Sequence, residues 1–375
     1  MKFSENVLKN DERALFALRD LYQRYGYARY KVSKFEEYDL YARNKSFLVS
    51  ENILTFTDTN GKLMALKPDV TLSIVKNIGG EDRATHKLYY NENVYRTSGG
   101  RDGFGEIMQA GLECIGDIGI YDMGEVLTLA QKSLALISED YILDLSHMGF
   151  VTGLLEHAGI DTVDTKTLLD LIGNKNLPAI KAYCKENAVA ADVTEAVCAI
   201  TSLYEPIGEA LEHIAPFVKG EKMQNAYDQL SAVATQMRAQ GSTERVYLDF
   251  SIVNDMSYYN GIIFRGFING IPDGVLSGGR YDSLLRKMGK RGGAIGFAVY
   301  LDLLERLNVK AEQFDVDALV ICDADADENA LALWAEDMRR NGKSVLVQPR
   351  LPSDVTYRQL LRFGKGGMEA LETND

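Results

Sequence analysis

The chain has 375 residues, a formal net charge of −13 and a pI near 5.0, and no dense Lys/Arg run. That acidity counts against tRNA as the main partner, because phosphate contact and counterion release reward a basic face. With 46% hydrophobic and 25% charged residues, no apolar run of about 18 residues and no apolar stretch in the opening MKFSENVLKNDERALF, the composition predicts a globular cytoplasmic protein of two or three domains, without a membrane span.

Taken in chain order, residues 10 to 25 predict an amphipathic helix, with Asn10 or Asp11 as cap, Leu15, Leu18, Leu21 and Tyr22 at helical spacing, and Gly26 as its end. Short strands are expected near Ala28–Val32 and Ile53–Thr57, and Asn60-Gly61 predicts a type I′ hairpin. Asp69 is positioned to cap a helix running to about Asn77. Two apolar-rich runs, Lys87 to Arg96 and Glu106 to Ile115, then read as strands flanking a glycine-rich loop. A helix follows from about Met123 to Ile137, and a strand at Tyr141–Leu145. From about 149 to 241 six helical segments succeed one another with hardly a strand between them, the texture of a helical insertion. Strand patterns resume at Arg245–Phe250 and Tyr258–Phe267, and Gly278-Gly279 precedes a helix from about Tyr281 to Met288. AIGFAVY reads as a strand passing into a helix through Arg306. Beyond Leu307, a strand at Val316–Cys322, a helix at Glu328–Asn341, a strand at Ser344–Gln348 and a helix beginning at Pro352–Ser353–Asp354 make a β-α-β-α unit.

The candidate chemistry lies in three places. Cys114, Cys184, Cys198 and Cys322 form no CxxC pair, and His86, His147, His157 and His213 show no ligand spacing, so no metal is expected. In LKPDVT, Asp69 and Thr71 are able to hold an ammonium, although a plain helix cap is the favoured reading of Asp69 from spacing alone. In the strand after the glycine loop, Gln109 and Glu113 are four apart and share a face, with Gly111 between them leaving room for a ligand; a solvent-facing polar stripe is the alternative. Adjacent Tyr258 and Tyr259 would present one hydroxyl on each face of a strand, or simply fill it. Gly278-Gly279-Arg280 predicts a tight backbone site before a helix N-terminus that favours negative charge. Arg96 ends the first strand as a cation able to meet a phosphate or a carboxylate.

In order, LKPDVT, VYR…QAGLECIG, DFSIVNDMSYYNGIIF, SGGRYDSLL and AIGFAVYLDLLERL resemble the catalytic core of histidyl-tRNA synthetases, over roughly residues 10 to 308. The resemblance implies an α+β fold: a class II aminoacyl-tRNA synthetase-like antiparallel sheet flanked by helices, in a domain spanning 1–308 with an insertion at about 149–241, and a shortened α/β C-terminal domain at 309–375. It implies a dimer. By resemblance, Asp69, Thr71 and Gln109 address the α-amino group of histidine, and Glu113 and Tyr258 its imidazole; Tyr259 and Arg96 join them as candidate histidine-binding residues.

The departures fall on the ATP side. Ser98 stands where the family has Glu, Gly103 and Ile107 where a basic-xxx-Phe pair holds adenine, Asn254 at the catalytic Arg before the paired tyrosines, and Leu303 at the final motif's Arg. Losing one such arginine costs about 2–4 kcal/mol of barrier, a factor of about 10² to 10³. A kept histidine side with a lost ATP side resembles the ATP phosphoribosyltransferase regulatory subunits, paralogues of histidyl-tRNA synthetase without synthetase activity. That family implies a short-form catalytic subunit as partner, L-histidine as ligand and feedback inhibitor, a homodimer within a hetero-oligomer, and no cofactor. A divergent histidyl-tRNA synthetase and an amino-acid- or tRNA-sensing paralogue are the alternatives.

Overall fold

The computed structural model describes residues 8–48, 52–78, 85–97, 103–160, 162–241, 243–253, 258–307 and 314–374. The chain divides into two compact units, Met1–Leu307 and Asn308–Asp375. The first unit opens with α1 (Asn10–Arg24), which buries Ala14, Leu15, Leu18 and Tyr22 and ends at Gly26 with φ +80°. Its start is held by the Glu12 carboxylate, which accepts the Lys9 N–H at 3.0 Å; neither Asn10 nor Asp11 supplies the cap. After β1 (Ala28–Arg29), β2 (Phe35–Glu37), α2 (Tyr38–Arg43), β3 (Thr55–Thr57) and β4 (Leu63–Leu66) comes α3 (Thr71–Asn77). β2, β4 and β3 form a small antiparallel sheet. The β3–β4 turn is not type I′. Gly61 has φ +82° and donates to the Asp58 carbonyl at 2.9 Å, while Asn60 is not left-handed, so a tight turn closes on a left-handed glycine.

The long hairpin follows as β5 (His86–Thr97) and β6 (Phe104–Gly116), in antiparallel register with Glu92 opposite Gln109 and Arg96 opposite Gly105. Then come α4 (Ile120–Ile137) and β7 (Tyr141–His147). The insertion consists of α5 (Met148–His157), α6 (Thr162–Gly173), α7 (Leu177–Glu186), α8 (Ala191–Ser202), the two-residue β8 (Glu205–Pro206), α9 (Ile207–Ile214) and α10 (Gly220–Ala239). The unit closes with β9 (Val246–Leu248), β10 (Ile262–Ile268), β11 (Leu276–Arg280), α11 (Asp282–Lys287), β12 (Gly293–Tyr300) and a 3-10 turn at Leu301–Arg306.

Nine of these strands form one sheet in the order β1-β5-β6-β12-β11-β10-β7-β9-β8. Its neighbours are antiparallel except β1 with β5 and β7 with β9. One face is covered by α1 and α4, whose Leu18, Tyr22, Val126, Leu127 and Ala130 meet Leu112, Leu145, Phe264 and Phe297 in the main core. Strand alternation turns Gln109, Gly111 and Glu113 to the opposite face, where α3 and α11 leave a cavity. No helix among the described residues is long and apolar enough to cross a membrane.

The second unit holds β13 (Val316–Cys322), α12 (Glu328–Arg340), β14 (Val345–Gln348), β15 (Tyr357–Gly364) and β16 (Gly367–Thr373), with strand order β14-β13-β15-β16. Asp327 caps α12 by accepting from the amides of Asn329 and Ala330 at 3.0 and 3.2 Å. The helix expected from Pro352 does not form; a β-hairpin takes its place. Leu361 and Phe363, two apart, put both side chains on the face that meets Ala318, Val320 and Leu331, and Gly367 at φ +95° completes the turn. The apolar spacing there has a period of two, which a helix cannot bury.

Candidate functional site

A cavity of about 590 Å3 lies on the face of the large sheet turned away from α1 and α4, and all seven candidate residues, Asp69, Thr71, Arg96, Gln109, Glu113, Tyr258 and Tyr259, line it. Glu113 is its chemical centre. It is 2% exposed, its Oε1 accepts from the Thr71 hydroxyl at 2.7 Å, and its Oε2 accepts from the Tyr281 hydroxyl. Gly296, opposite it in register on β12, leaves space for the carboxylate: a Cβ there would overlap Oε2 and approach the Leu112 carbonyl at 2.4 Å. Burial pushes the Glu113 carboxyl up to about 8, against the two hydroxyl donors that favour its ionised form. At neutral pH burial therefore favours the protonated form of the Glu113 carboxyl, and a cationic partner beside it favours the ionised one.

Asp69 serves two ends at once. Its Oδ1 accepts the Leu72 amide at 2.8 Å, capping α3, and the same side chain lines the cavity. Burial raises its pKa, opposed by the Leu72 amide and by the charge of Arg96. Arg96 is 8% exposed, and its guanidinium lies 5.7 Å from the centre of the Tyr300 ring. Among the described residues it forms no ion pair, though its charge also reaches Asp302.

Two expectations about local geometry are corrected. Tyr258 and Tyr259 do not lie on a strand, since β10 begins only at Ile262; they sit in the loop before it. Both therefore line the same cavity, their rings edge to face at 4.5 Å, instead of pointing to opposite sides of a sheet. Gly279 accommodates the Tyr259 ring, whose Cδ1 would be 2.5 Å from a Cβ at that position. The room at Gly111 is taken by the protein itself: a Cβ there would lie 2.5 Å from the Tyr90 hydroxyl and from the Phe297 carbonyl. Gly278-Gly279-Arg280 is part of β11, not an anion loop. Arg280 Nε donates to both oxygens of Asp282 at 3.1 and 2.9 Å, so the first turn of the six-residue α11 already carries its own carboxylate.

Tyr281, Tyr90, Tyr300 and Arg265 also line the cavity and were not singled out from sequence. A signal for Tyr281 existed. It stands two residues beyond Gly279 and one past the end of β11, where its amide still donates to the Ala294 carbonyl at 2.8 Å and carries the strand alternation on, turning both to the cavity face. On the ATP side, Leu303 packs against the main core and Ile107 against a second apolar cluster that includes Val94 and Ile115. Gly103 has φ +105°. Ser98 and Asn254 lie outside the described residues. No group of three or more His, Cys, Asp or Glu among the described residues is arranged to hold a metal ion.

A mostly antiparallel sheet with a substrate-sized cavity over its hairpin strands is a class II synthetase-like arrangement, and a family model described as Histidyl-tRNA synthetase matches residues 4–304. Two solved structures share the fold. An ATP phosphoribosyltransferase regulatory subunit/histidyl-tRNA synthetase from Bacillus halodurans aligns at TM-score 0.74 and 24% identity, covering 94% of this chain and 93% of that one. Histidyl-tRNA synthetase from Nostoc sp. PCC 7120 aligns at TM-score 0.70 and 15% identity, covering 96% and 91%. Sequence relatives narrow the class. The ATP phosphoribosyltransferase regulatory subunit of Oceanobacillus iheyensis is 28% identical over 353 residues, 92% of this chain and 86% of the relative. That of Clostridium kluyveri is 30% identical over 292 residues, 76% and 74%. The chain belongs to the family of ATP phosphoribosyltransferase regulatory subunits.

Proposed function

We propose that this regulatory subunit performs no adenylate chemistry itself, binds L-histidine in the cavity around Glu113, and relays that binding to a short-form catalytic ATP phosphoribosyltransferase chain. The chain would work in the cytoplasm as a homodimer within a hetero-oligomer, support the first step of histidine biosynthesis and carry its feedback inhibition. The observation that carries the reading is the asymmetry of the site. The acceptors an ammonium and an imidazole need, Asp69, Gln109 and Glu113, line one cavity, whereas a half-buried Leu303 packs against the core where the resemblance calls for a phosphate-binding arginine. One chain of a solved ATP phosphoribosyl transferase complex from Thermotoga maritima, matched at TM-score 0.61 and 21% identity, shares the fold.

Histidine acts by linkage: it shifts the assembly only by its difference in affinity for the active and inhibited states. The test is to assay the cognate catalytic chain with and without this subunit, across a histidine titration. Activity that requires the subunit and falls with histidine supports the reading; a catalytic chain indifferent to the subunit overturns it. Robust histidine-dependent exchange of pyrophosphate into ATP by the isolated chain would overturn the absence of catalysis.

A further inference from the structure

The cavity is larger than histidine requires. About 590 Å3 corresponds to roughly twenty waters at about 30 Å3 each, well beyond one amino acid. It also has two chemically distinct halves. The inner half, over β6 and β12, is acidic: Glu113 and Asp69. The outer half, over β10 and the turn that follows it, is walled by Arg265, Phe267, Pro272, Asp273 and Gly274.

The charges of this outer half are unequal in their commitments. Asp273 is paired with Arg306 at 2.8 Å. Arg265, among the described residues, has no ion pair, hydrogen bond or ring partner, and its cross-strand neighbours are Ser277 and Asp144. The stem of Arg265 runs past Gly274, where an added Cβ would meet its Cγ and Cδ at 3.6 Å. Arg96, the other cation of the cavity, is buried against Tyr300 and its charge acts on Asp69 and Asp302. In register, Arg265 lies level with Ser277, Ala298 and Gly111, three strands from β6, about 14 Å at a spacing of about 4.8 Å. A cation that lines a cavity and forms no ion pair even with the cross-strand Asp144, on the far side of the cavity from the Glu113 and Asp69 carboxyl groups, is arranged for a ligand's negative end.

We propose that Arg265 makes the outer half of the cavity an oxyanion-binding subsite. The oxyanion is either the carboxylate of the ligand seated in the inner half or the phosphate of a second small molecule beside it. Only the carboxylate source rests on histidine being the inner ligand.

Calorimetry on the full chain separates the sources, with L-histidine, with histamine (which lacks the carboxylate), and with inorganic pyrophosphate added to the histidine-loaded chain. In the carboxylate case Arg265→Gln weakens histidine at least tenfold and leaves histamine unchanged. In the phosphate case it weakens pyrophosphate at least tenfold and leaves histidine unchanged. In either case Arg265→Lys restores part of the loss, which a merely structural role would not predict. Equal affinity of wild type and Arg265→Gln for all three probes overturns the proposal, as does an equal loss for all three with a lowered melting temperature. A wild-type chain that binds pyrophosphate through Arg265 but never histidine would sink the histidine reading and leave the subsite standing.

Discussion

Glu113 concentrates the energetics of the site in one side chain. A carboxyl brought from its ordinary value to about 8 is protonated in the folded, empty protein and ionised in the unfolded chain between about pH 4.5 and 8. The folded state binds the extra proton there, so this group's contribution to stability is full below about pH 4.5 and is lost as the pH rises to about 8. At about 1.4 kcal/mol per unit, the full loss is up to about 5 kcal/mol. Glu113→Gln should flatten that slope, so that the variant is more stable than wild type near pH 8, as measured by urea unfolding of the ligand-free protein. A slope unchanged by the substitution would show that Glu113 titrates normally. Binding has a different pH profile. The imidazole that Glu113 addresses is itself mostly neutral above about pH 6.5, so pairing moves the Glu113 proton onto the ring without net release; histidine affinity should rise up to about pH 6.5, stay level to about 8 and fall above it. Glu113→Gln should weaken binding by about 1–3 kcal/mol and remove the fall above about pH 8. Unchanged affinity in the variant would move the histidine site elsewhere.

At the scale of elements, α3 and the facing glycines of β11 and β12 position the site. Asp69 both caps α3 and faces the cavity, and two substitutions separate those roles. Asp69→Asn keeps an oxygen for the Leu72 amide, so stability should change by less than about 0.5 kcal/mol while histidine binding weakens. Asp69→Ala loses the cap as well and should cost about 1 kcal/mol in thermal or urea unfolding. If Asp69→Asn binds histidine as wild type does, Asp69 is a cap alone. Gly296 is a stricter requirement. A Cβ there meets the Glu113 carboxylate and the Leu112 carbonyl, and backbone cannot step aside as a flexible side chain would. Gly296→Ala should therefore destabilise by about 1–3 kcal/mol and abolish histidine binding, whereas Gly61→Ala, at a turn position that does not line the cavity, should leave binding intact at a smaller cost in stability. Paired unfolding and calorimetry measurements check both.

At the scale of the molecule, every lining residue of the cavity belongs to Met1–Leu307, and the C-terminal unit has its own core of Ala318, Val320, Leu331, Leu361 and Phe363. A chain ending at Leu307 should bind histidine within about twofold of the full chain, because independent cores contribute nearly additively. Loss of binding in the truncated chain would show that the site needs the second unit. Much of the molecule was legible from sequence, for physical reasons that act locally. The 3.6-residue spacing of α1 and of the helices between 149 and 241 declares amphipathic faces, and the alternation of Gln109 and Glu113 along β6 declares a shared side. The order of LKPDVT, the β5–β6 hairpin, YYNG and GGRYD carried the class. Other features depended on partners distant in the chain. That Tyr258 and Tyr259 lie before β10, not on it, depends on where pairing with β7 and β11 begins, and that Tyr90 fills the space at Gly111 depends on cross-strand register. The hairpin after Pro352 exists because its apolar residues meet β13 and α12. Periodicity and residue chemistry are local properties, so the class, the elements and the acidic residues of the site could be read along the chain. Burial and register arise from strands far apart in the chain, so it took the folded protein to show that Tyr281 and Thr71 hold Glu113, that burial raises its carboxyl, and that Arg265 faces the same cavity.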